Sequence, residues 1–372
     1  MGFGIHSVAL EESRVQNKLY ARQYTPAGIL FSFWYTIHMS SKQIVLTGDR
    51  PTGKLHLGHF VGSIQNRIEL QSTHDTLFYM VADVQALTDN AENPDKVRNN
   101  VLEVVLDNLA CGVDPSKTIF FIQSQVPEIA ELTVFFMNLV TLARLKRNPT
   151  VKNEMKQKGY DEDVPAGFLC YPVSQTADIL AFKANVIPVG EDQLPVIEQA
   201  NEIGHKFNTL YGDTFPKITP VVSTASRLIG IDGGAKMSKS LNNAIYLSDT
   251  PEIIEQKVMQ MYTDPNHIKV EDPGNVEGNV VFQYLDIFDP NKEEVAELKA
   301  QYQKGGLGDV VIKKRLIAIL QDLINPIREQ REYLAKDPKQ IMDILEKGTA
   351  RAREYARETL AEAKRAMKIE YF

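Results

Sequence analysis

Two rhythms of apolar and polar positions run along this chain. The run Ile44 to Thr47 reads as a short buried strand, and it ends in the turn-rich Gly48-Asp49-Arg50-Pro51-Thr52-Gly53. A helix is predicted from about Gly58 to Leu70, then a strand Leu77 to Val81, a helix Pro94 to Ala110, a strand Thr118 to Ile122 and a helix Pro127 to Leu142. Further on, Val186 to Val189 reads as another strand, and Leu194, Ile197, Ala200, Ile203 and Phe207 mark one face of a helix. From Thr250, an N-cap residue with Pro251 at the first helical position, the pattern is helical to the end, with a break at Gly305 to Gly308.

Strands that alternate with helices predict a parallel sheet with crossover helices. The expected fold is therefore α/β: a Rossmann-like parallel-sheet catalytic domain over residues 39–248 and an all-helical domain over 249–372. Residues 1–38 lack this periodicity, carry the only tryptophan, Trp34, and read as a disordered N-terminal extension. Glu11 and Glu12 count against a secretory or organellar leader.

Composition narrows the class. A hydrophobic share of 43% with 24% charged residues is that of a globular enzyme, and no apolar run reaches the roughly 18–20 residues that cross a bilayer. Cys111 and Cys170 form neither a CxxC pair nor a zinc-type cluster; both are expected to be buried, reduced thiols, which points to a cytoplasmic protein with no metal held by side chains. The net charge of -7 excludes a uniformly basic nucleic-acid binder. Positive charge is nevertheless segregated. Residues 141–160 carry six bases, Lys152 among them, against Glu154 alone, and Ala350 to Lys368 carries six against three glutamates. Each run is expected to be a solvated helix face or an RNA contact.

The chemistry concentrates at two places. After the first strand come His56-Leu57-Gly58-His59, two imidazoles at a predicted helix N-terminus, where free N–H groups and the dipole favour anions and Gly58 leaves the backbone open. The overlapping Gly48-x4-Gly53-Lys54 imitates a P-loop, but Leu55 lacks the hydroxyl that would hold magnesium and Pro51 removes a cradling N–H. Downstream, Gly233-Gly234-Ala235-Lys236-Met237-Ser238-Lys239-Ser240 sets two lysines on a glycine-hinged loop, suited to stabilising charge on a polyphosphate in a transition state.

Taken together, the two segments resemble the HIGH and KMSKS signatures of class I aminoacyl-tRNA synthetases, and the runs around 188–193 and 236–240 resemble the tryptophan branch of that class. The similarity extends from about Lys42 to Phe372. It implies activation of L-tryptophan by ATP with Mg2+, release of pyrophosphate, transfer to tRNA(Trp), a homodimer, and an anticodon-binding role for the helical domain. His56, His59, Lys236 and Lys239 would be catalytic. Arg50, Gly58, Gly190, Asp192, Met237 and Ser238 would join His59 and the lysines around ATP.

For the amino acid, helical spacing places Tyr171, Gln175 and Asp178 on one face. A carboxylate and an amide beside an apolar wall suit a flat ring carrying one N–H or O–H. The resemblance implies that Asp178 reads the indole N–H, that Tyr171 and Gln193 face the ammonium group, and that Gly48 lies beside the substrate. Gln175 stands where many bacterial tryptophan enzymes have Met, and Gln85 where they often have His. Because Tyr171, Gln175 and Asp178 are also similar to the tyrosine enzymes, tyrosine stays open as the substrate. A non-catalytic, tRNA-binding paralogue stays open as the function. In the helical domain Lys313, Lys314 and Arg315 are candidates for touching the tRNA backbone.

Overall fold

The computed structural model describes residues 42–160, 163–222, 228–239 and 241–372; the expected extension and Ser240 lie outside them. Five parallel strands, β1 (Ile44–Asp49), β2 (Thr76–Val81), β3 (Thr118–Ile122), β4 (Val186–Val189) and β5 (Thr219–Val222), stand in the order β3-β2-β1-β4-β5. The four strands read from sequence are all present. β5 escaped that reading because Thr219-Pro220-Val221-Val222 is short and contains proline, which an edge strand tolerates since one side of it needs no ladder donor. The chain reverses direction of travel across the sheet between β1 and β4. That switch point is where open α/β sheets hold ligands.

The helix after β1 spans 57–73 and contains a π-helical stretch, Phe60–Ile64; we label the whole α1. Then come α2 (Asp83–Leu87), α3 (Pro94–Ala110) and α4 (Glu128–Met137). The predicted helix to Leu142 ends early, because Thr141 is extended and caps a new helix, α5 (Leu142–Arg147), by accepting the Arg144 N–H. Next are α6 (Pro149–Lys158), α7 (Ala166–Leu180) and α8 (Leu194–Tyr211). Beyond the sheet lie α9 (Pro251–Met259), α10 (Val280–Phe288), α11 (Lys292–Lys304), α12 (Asp309–Leu334) and α13 (Pro338–Ala366). Thr250 caps α9 as its sequence suggests.

The helical half does not pack as a separate body. One core runs from Val45 and Tyr79 in the sheet through Tyr284, Leu320 and Ile324, and α13 folds back along β3. Gly348 permits that approach: a Cβ there would stand 1.9 Å from the Phe120 carbonyl oxygen. Half of the basic run on α13, a candidate RNA face, takes part in this docking, while Arg351 stays exposed. Arg353 and Arg357 pair with Glu128, Lys364 with Glu131 and Arg365 with Glu370. Two of the trio on α12 are also engaged within the fold. Lys313 is buried with its ammonium on the Met259 carbonyl, and Arg315 is held by Asp289 and Glu294, so only Lys314 is exposed. Helical periodicity cannot show which face of a charged helix meets a neighbour.

Arg331 ties the halves at the functional end through ion pairs to Asp107 and Glu103 on α3. Asp107 on α3 accepts the Leu55 N–H through Oδ2 (2.6 Å) and the Arg331 Nε–H through Oδ1 (2.6 Å). Both side chains are buried. Substitution Arg331→Met leaves that carboxylate facing an apolar neighbour, and we expect about 3–5 kcal/mol of lost stability in urea unfolding. A loss below about 1 kcal/mol would show the pair to be dispensable.

Candidate active site

The C-terminal ends of β1 and β4 open into a cavity of about 790 Å3. β1 delivers Gly48, Asp49 and Arg50; α1 delivers His59; α7 delivers Tyr171, Gln175 and Asp178; and the β4–α8 turn delivers Gly190 and Gln193. Helical spacing from sequence thus placed three α7 residues correctly on one wall. Gly48 is demanded by the sheet itself, since a Cβ would meet the Met80 carbonyl oxygen at 2.3 Å across the β1–β2 pairing.

His56 lies just beneath the cavity, 5% exposed, as the N-cap of α1. Its Nδ1 accepts the Gly58 N–H (3.1 Å), and His59 Nδ1 accepts the His56 N–H (3.3 Å). With both Nδ1 atoms accepting, each ring carries its proton on Nε2 and presents a donor. Burial, the neighbouring imidazole and the two loop lysines push His56 down to about 2. Burial likewise holds His59 at about 4, with Asp49 opposing and Lys239 assisting. Two neutral donors at a helix N-terminus bind a polyphosphate without titrating near neutrality. Gly58 serves this arrangement through its lack of a side chain, for a Cβ would stand 3.0 Å from the His56 ring.

The lysine loop reaches the histidines because the chain after it pairs with the turn before α1. Leu57 N–H donates to the Ile245 carbonyl, and Leu247 N–H to the Leu55 carbonyl. Lys239 Nζ then donates to the Gly53 carbonyl (2.6 Å). Burial lowers Lys239 to about 8, with Asp49 and Asp107 opposing. Lys236 is exposed, and Met237 is buried against Gly58. Ser238 N–H donates to Asn243 Oδ1, which shapes the loop. Lys236, Met237, Ser238, Lys239, Gly58 and Asp192 lie outside the lining of the cavity; Asp192 is exposed at its rim, accepting a long bond from Gln193 Nε2 (3.4 Å). Lys152 is exposed and away from the lining, and Arg50 pairs with Asp89, which Lys158 also holds. Cys170 is only partly buried, contrary to expectation, whereas Cys111 is buried.

Three buried polar atoms in this one cavity have no hydrogen-bond partner, Gln85 Oε1, Gln175 Oε1 and Asp178 Oδ2, while the Tyr171 hydroxyl faces the Glu154 carboxylate. Buried polar groups are ordinarily satisfied, so orphans converging on a cavity mark a place for a ligand with matching donors. Asp178 is 1% exposed. Burial raises its carboxyl to about 7, against the lowering effect of a hydrogen bond from Gln123. Burial and the nearby Glu154 charge push the Tyr171 hydroxyl up.

Sequence reasoning missed the network beneath the floor. Arg67 is fully enclosed, with NH1 on Asp49 Oδ2 (2.6 Å) and on Asn108 Oδ1 (2.7 Å), NH2 on Asp49 Oδ1 (3.0 Å), and Nε on Thr47 Oγ1 (3.0 Å). Tyr79 OH also donates to Asp49. Burial alone would raise the Asp49 carboxyl, but the Arg67 guanidinium outweighs it and holds Asp49 well below the usual carboxylate range. A signal existed: Phe60, Ile64 and Arg67 share helical spacing, which puts an arginine on an apolar face.

A parallel sheet in this order, with paired imidazoles at one helix start and a lysine loop docked beside them, defines a nucleotide-activating α/β enzyme. The comparisons with known proteins agree. Residues 39–325 match the family model described as tRNA synthetases class I (W and Y). A tryptophan–tRNA ligase of Clostridium longisporum is 58% identical over 89% of this chain and 98% of its own length, and one of Streptococcus agalactiae is 55% identical over 89% and 99%. The crystal structure of the tryptophanyl-tRNA synthetase of Campylobacter jejuni, complexed with ADP and tryptophan, superposes with a TM-score of 0.77 at 30% identity, over 88% of this chain and all of that one. The chain belongs to the class I tRNA synthetases of the tryptophan and tyrosine family.

Proposed function

We propose that this chain activates L-tryptophan with ATP to tryptophanyl-adenylate and transfers the aminoacyl group to tRNA(Trp). The observation that carries the reading is the orphaned Asp178 Oδ2 in the cavity beside the paired histidines, a buried acceptor waiting for one N–H. The ligase relatives at 55–58% identity favour tryptophan over tyrosine. In this reading the indole lies against α7 with its N–H on Asp178, and the ammonium group meets Tyr171, Gln175 and Gln193. Gly48 lines the cavity beside the substrate. Its carboxylate attacks the α-phosphorus, and pyrophosphate leaves toward the histidines and lysines.

His56 and His59 donate Nε2–H to phosphate oxygens. Lys239 exchanges its bond to Gly53 for the polyphosphate, joined by Lys236, and the Ser238 backbone follows the loop. Gly190 and Asp192 receive the ribose, and Arg50 guards the mouth. Magnesium bound together with ATP would neutralise charge on the phosphates. We further propose a cytoplasmic homodimer in which residues 249–372 read the anticodon; no described helix is long and apolar enough to cross a membrane.

Exchange of labelled pyrophosphate into ATP, with tryptophan and tyrosine supplied separately, tests the reading. Exchange with tryptophan alone is expected. Exchange with tyrosine alone would keep the chemistry and reassign the pocket, and exchange with neither would leave a non-catalytic paralogue.

The pH profile separates the groups. Because kcat/KM reports the free enzyme, its value for tryptophan should climb with pH up to about 7, as Asp178 ionises, and its value for ATP should fall above about 8, as Lys239 loses its proton. Neither histidine contributes a limb between pH 5 and 9, since both are already neutral there. A limb near 6 in the ATP profile that disappears in His59→Asn would contradict the neutral-donor arrangement.

A further inference from the structure

We propose that Gln123 is a positioning residue for substrate selection: its side-chain amide fixes the orientation of the Asp178 carboxyl, so that the free oxygen faces the cavity as the acceptor of an N–H. The inference rests on the reading of Asp178 as the indole acceptor.

Gln123 follows β3 directly, in the short turn Gln123–Gln125, and is 3% exposed. Its Nε2 donates to Asp178 Oδ1 at 2.7 Å, while its Oε1 accepts the Gln85 N–H at 3.0 Å. The second bond decides the first. With Oε1 committed to a backbone donor at the start of α2, the NH2 end has to face Asp178, and the amide cannot flip without losing both bonds. Oδ1 is thereby occupied, and Oδ2 is left as the oxygen without a partner. Two loops at the ends of β2 and β3 thus aim one carboxyl on α7.

The electrostatic role follows from what surrounds the carboxyl. Burial and the Gln123 bond are the two influences on its proton, and they oppose one another. The other titratable groups that line this cavity are Tyr171 on the same helix, Glu154 and Lys158 on α6, and Asp49, Arg50 and His59 across it, and Glu128 on the packed α4 is paired with Arg353 and Arg357. Removing the amide therefore leaves burial unopposed and extends the protonated range upward.

The experiment uses the full chain, Gln123→Leu, Asp178→Asn and the double variant. In Gln123→Leu the rise of kcat/KM for tryptophan should move up by about one pH unit or more, the KM for tryptophan at pH 7 should increase at least tenfold, and the KM for ATP should stay within twofold. Activity should return toward wild type by pH 9. In the Asp178→Asn background Gln123→Leu should add less than a twofold further loss. A loss equal at pH 7 and pH 9, or losses that multiply in the double variant, would overturn the proposal.

A substrate-free measurement separates this proposal from the reading it rests on. The infrared carboxyl band that vanishes in Asp178→Asn should titrate near 7 in wild type and higher in Gln123→Leu. An unmoved midpoint overturns the role of Gln123 whatever the substrate proves to be. A moved midpoint without tryptophan-dependent exchange would keep the Gln123–Asp178 coupling and reject tryptophan as the ligand.

Discussion

Asp178→Asn is expected to cut kcat/KM for tryptophan by about 10²–10⁴ while making the folded chain more stable above pH 7. The activity loss follows from donor and acceptor geometry. Gln123 Nε2 already donates to Oδ1, so an asparagine keeps its carbonyl on that side and turns its NH2 to the position of the orphaned Oδ2. Two donors then face each other in a buried site. Sites built to hydrogen-bond a substrate group discriminate by roughly 10⁴ when the pairing fails. Steady-state exchange kinetics at pH 8 would measure it, and a variant within tenfold of wild type would remove Asp178 from recognition.

The stability gain has a definite sign. The folded-state pKa of Asp178, about 7, lies above the ordinary 3.8, so the folded chain binds this proton more tightly than the unfolded chain does. Stability from this group is full below about 3.8, declines as pH rises from there to about 7, and is flat beyond. Each pH unit across that interval costs about 1.4 kcal/mol. Asparagine carries no such penalty. Urea midpoints at pH 5 and pH 8 should therefore differ less in the variant than in wild type, with the variant ahead at pH 8. The opposite order at pH 8 would mean that the carboxylate is better satisfied than its orphaned oxygen indicates.

Lys239→Ala is expected to lower kcat for adenylate formation by about 10²–10³, the usual consequence of deleting one donor to a developing charge. The KM for ATP should change less than tenfold, because the histidines and helix N-terminus still hold the ground-state triphosphate. Lys239 is singled out from Lys236 by its geometry: it is the lysine drawn in over the turn, with Nζ on the Gly53 carbonyl, while Lys236 is exposed. Lys239→Arg should restore part of the rate through its charge and lose the rest through its planar, longer head. Rapid-quench measurement of the single-turnover step decides the matter. Unchanged adenylate formation would confine Lys239 to holding the loop on Gly53.

Much of the site was legible because its parts are local. A histidine pair at a strand-to-helix junction, a glycine-hinged lysine loop and three residues at helical spacing on α7 are each short patterns, and the structure brings His59 and all three α7 residues to one cavity. Periodicity likewise marked four of five strands, since a buried parallel strand is written as an apolar run. Gln123, Arg67 and Asn108 carry no such mark. Each is a polar residue whose meaning depends on a partner between 18 and 59 positions away: Asp49 for Arg67 and Asn108, Asp178 for Gln123.

The sequence by itself determined the class of chemistry and the alternation of strand and helix, because phosphate-binding turns and amphipathic periods are properties of neighbouring residues. Only the tertiary structure decided which charges are free. Arg353, Arg357, Lys313 and Arg315 read as solvated or RNA-facing bases, yet each is engaged by a group that the chain brings back from far away in sequence or from another helix. It also decided the ionisation of the site, since a carboxyl raised to about 7, a lysine lowered to about 8 and two neutral histidines are produced by burial and by partners that meet only when the sheet closes over its switch point.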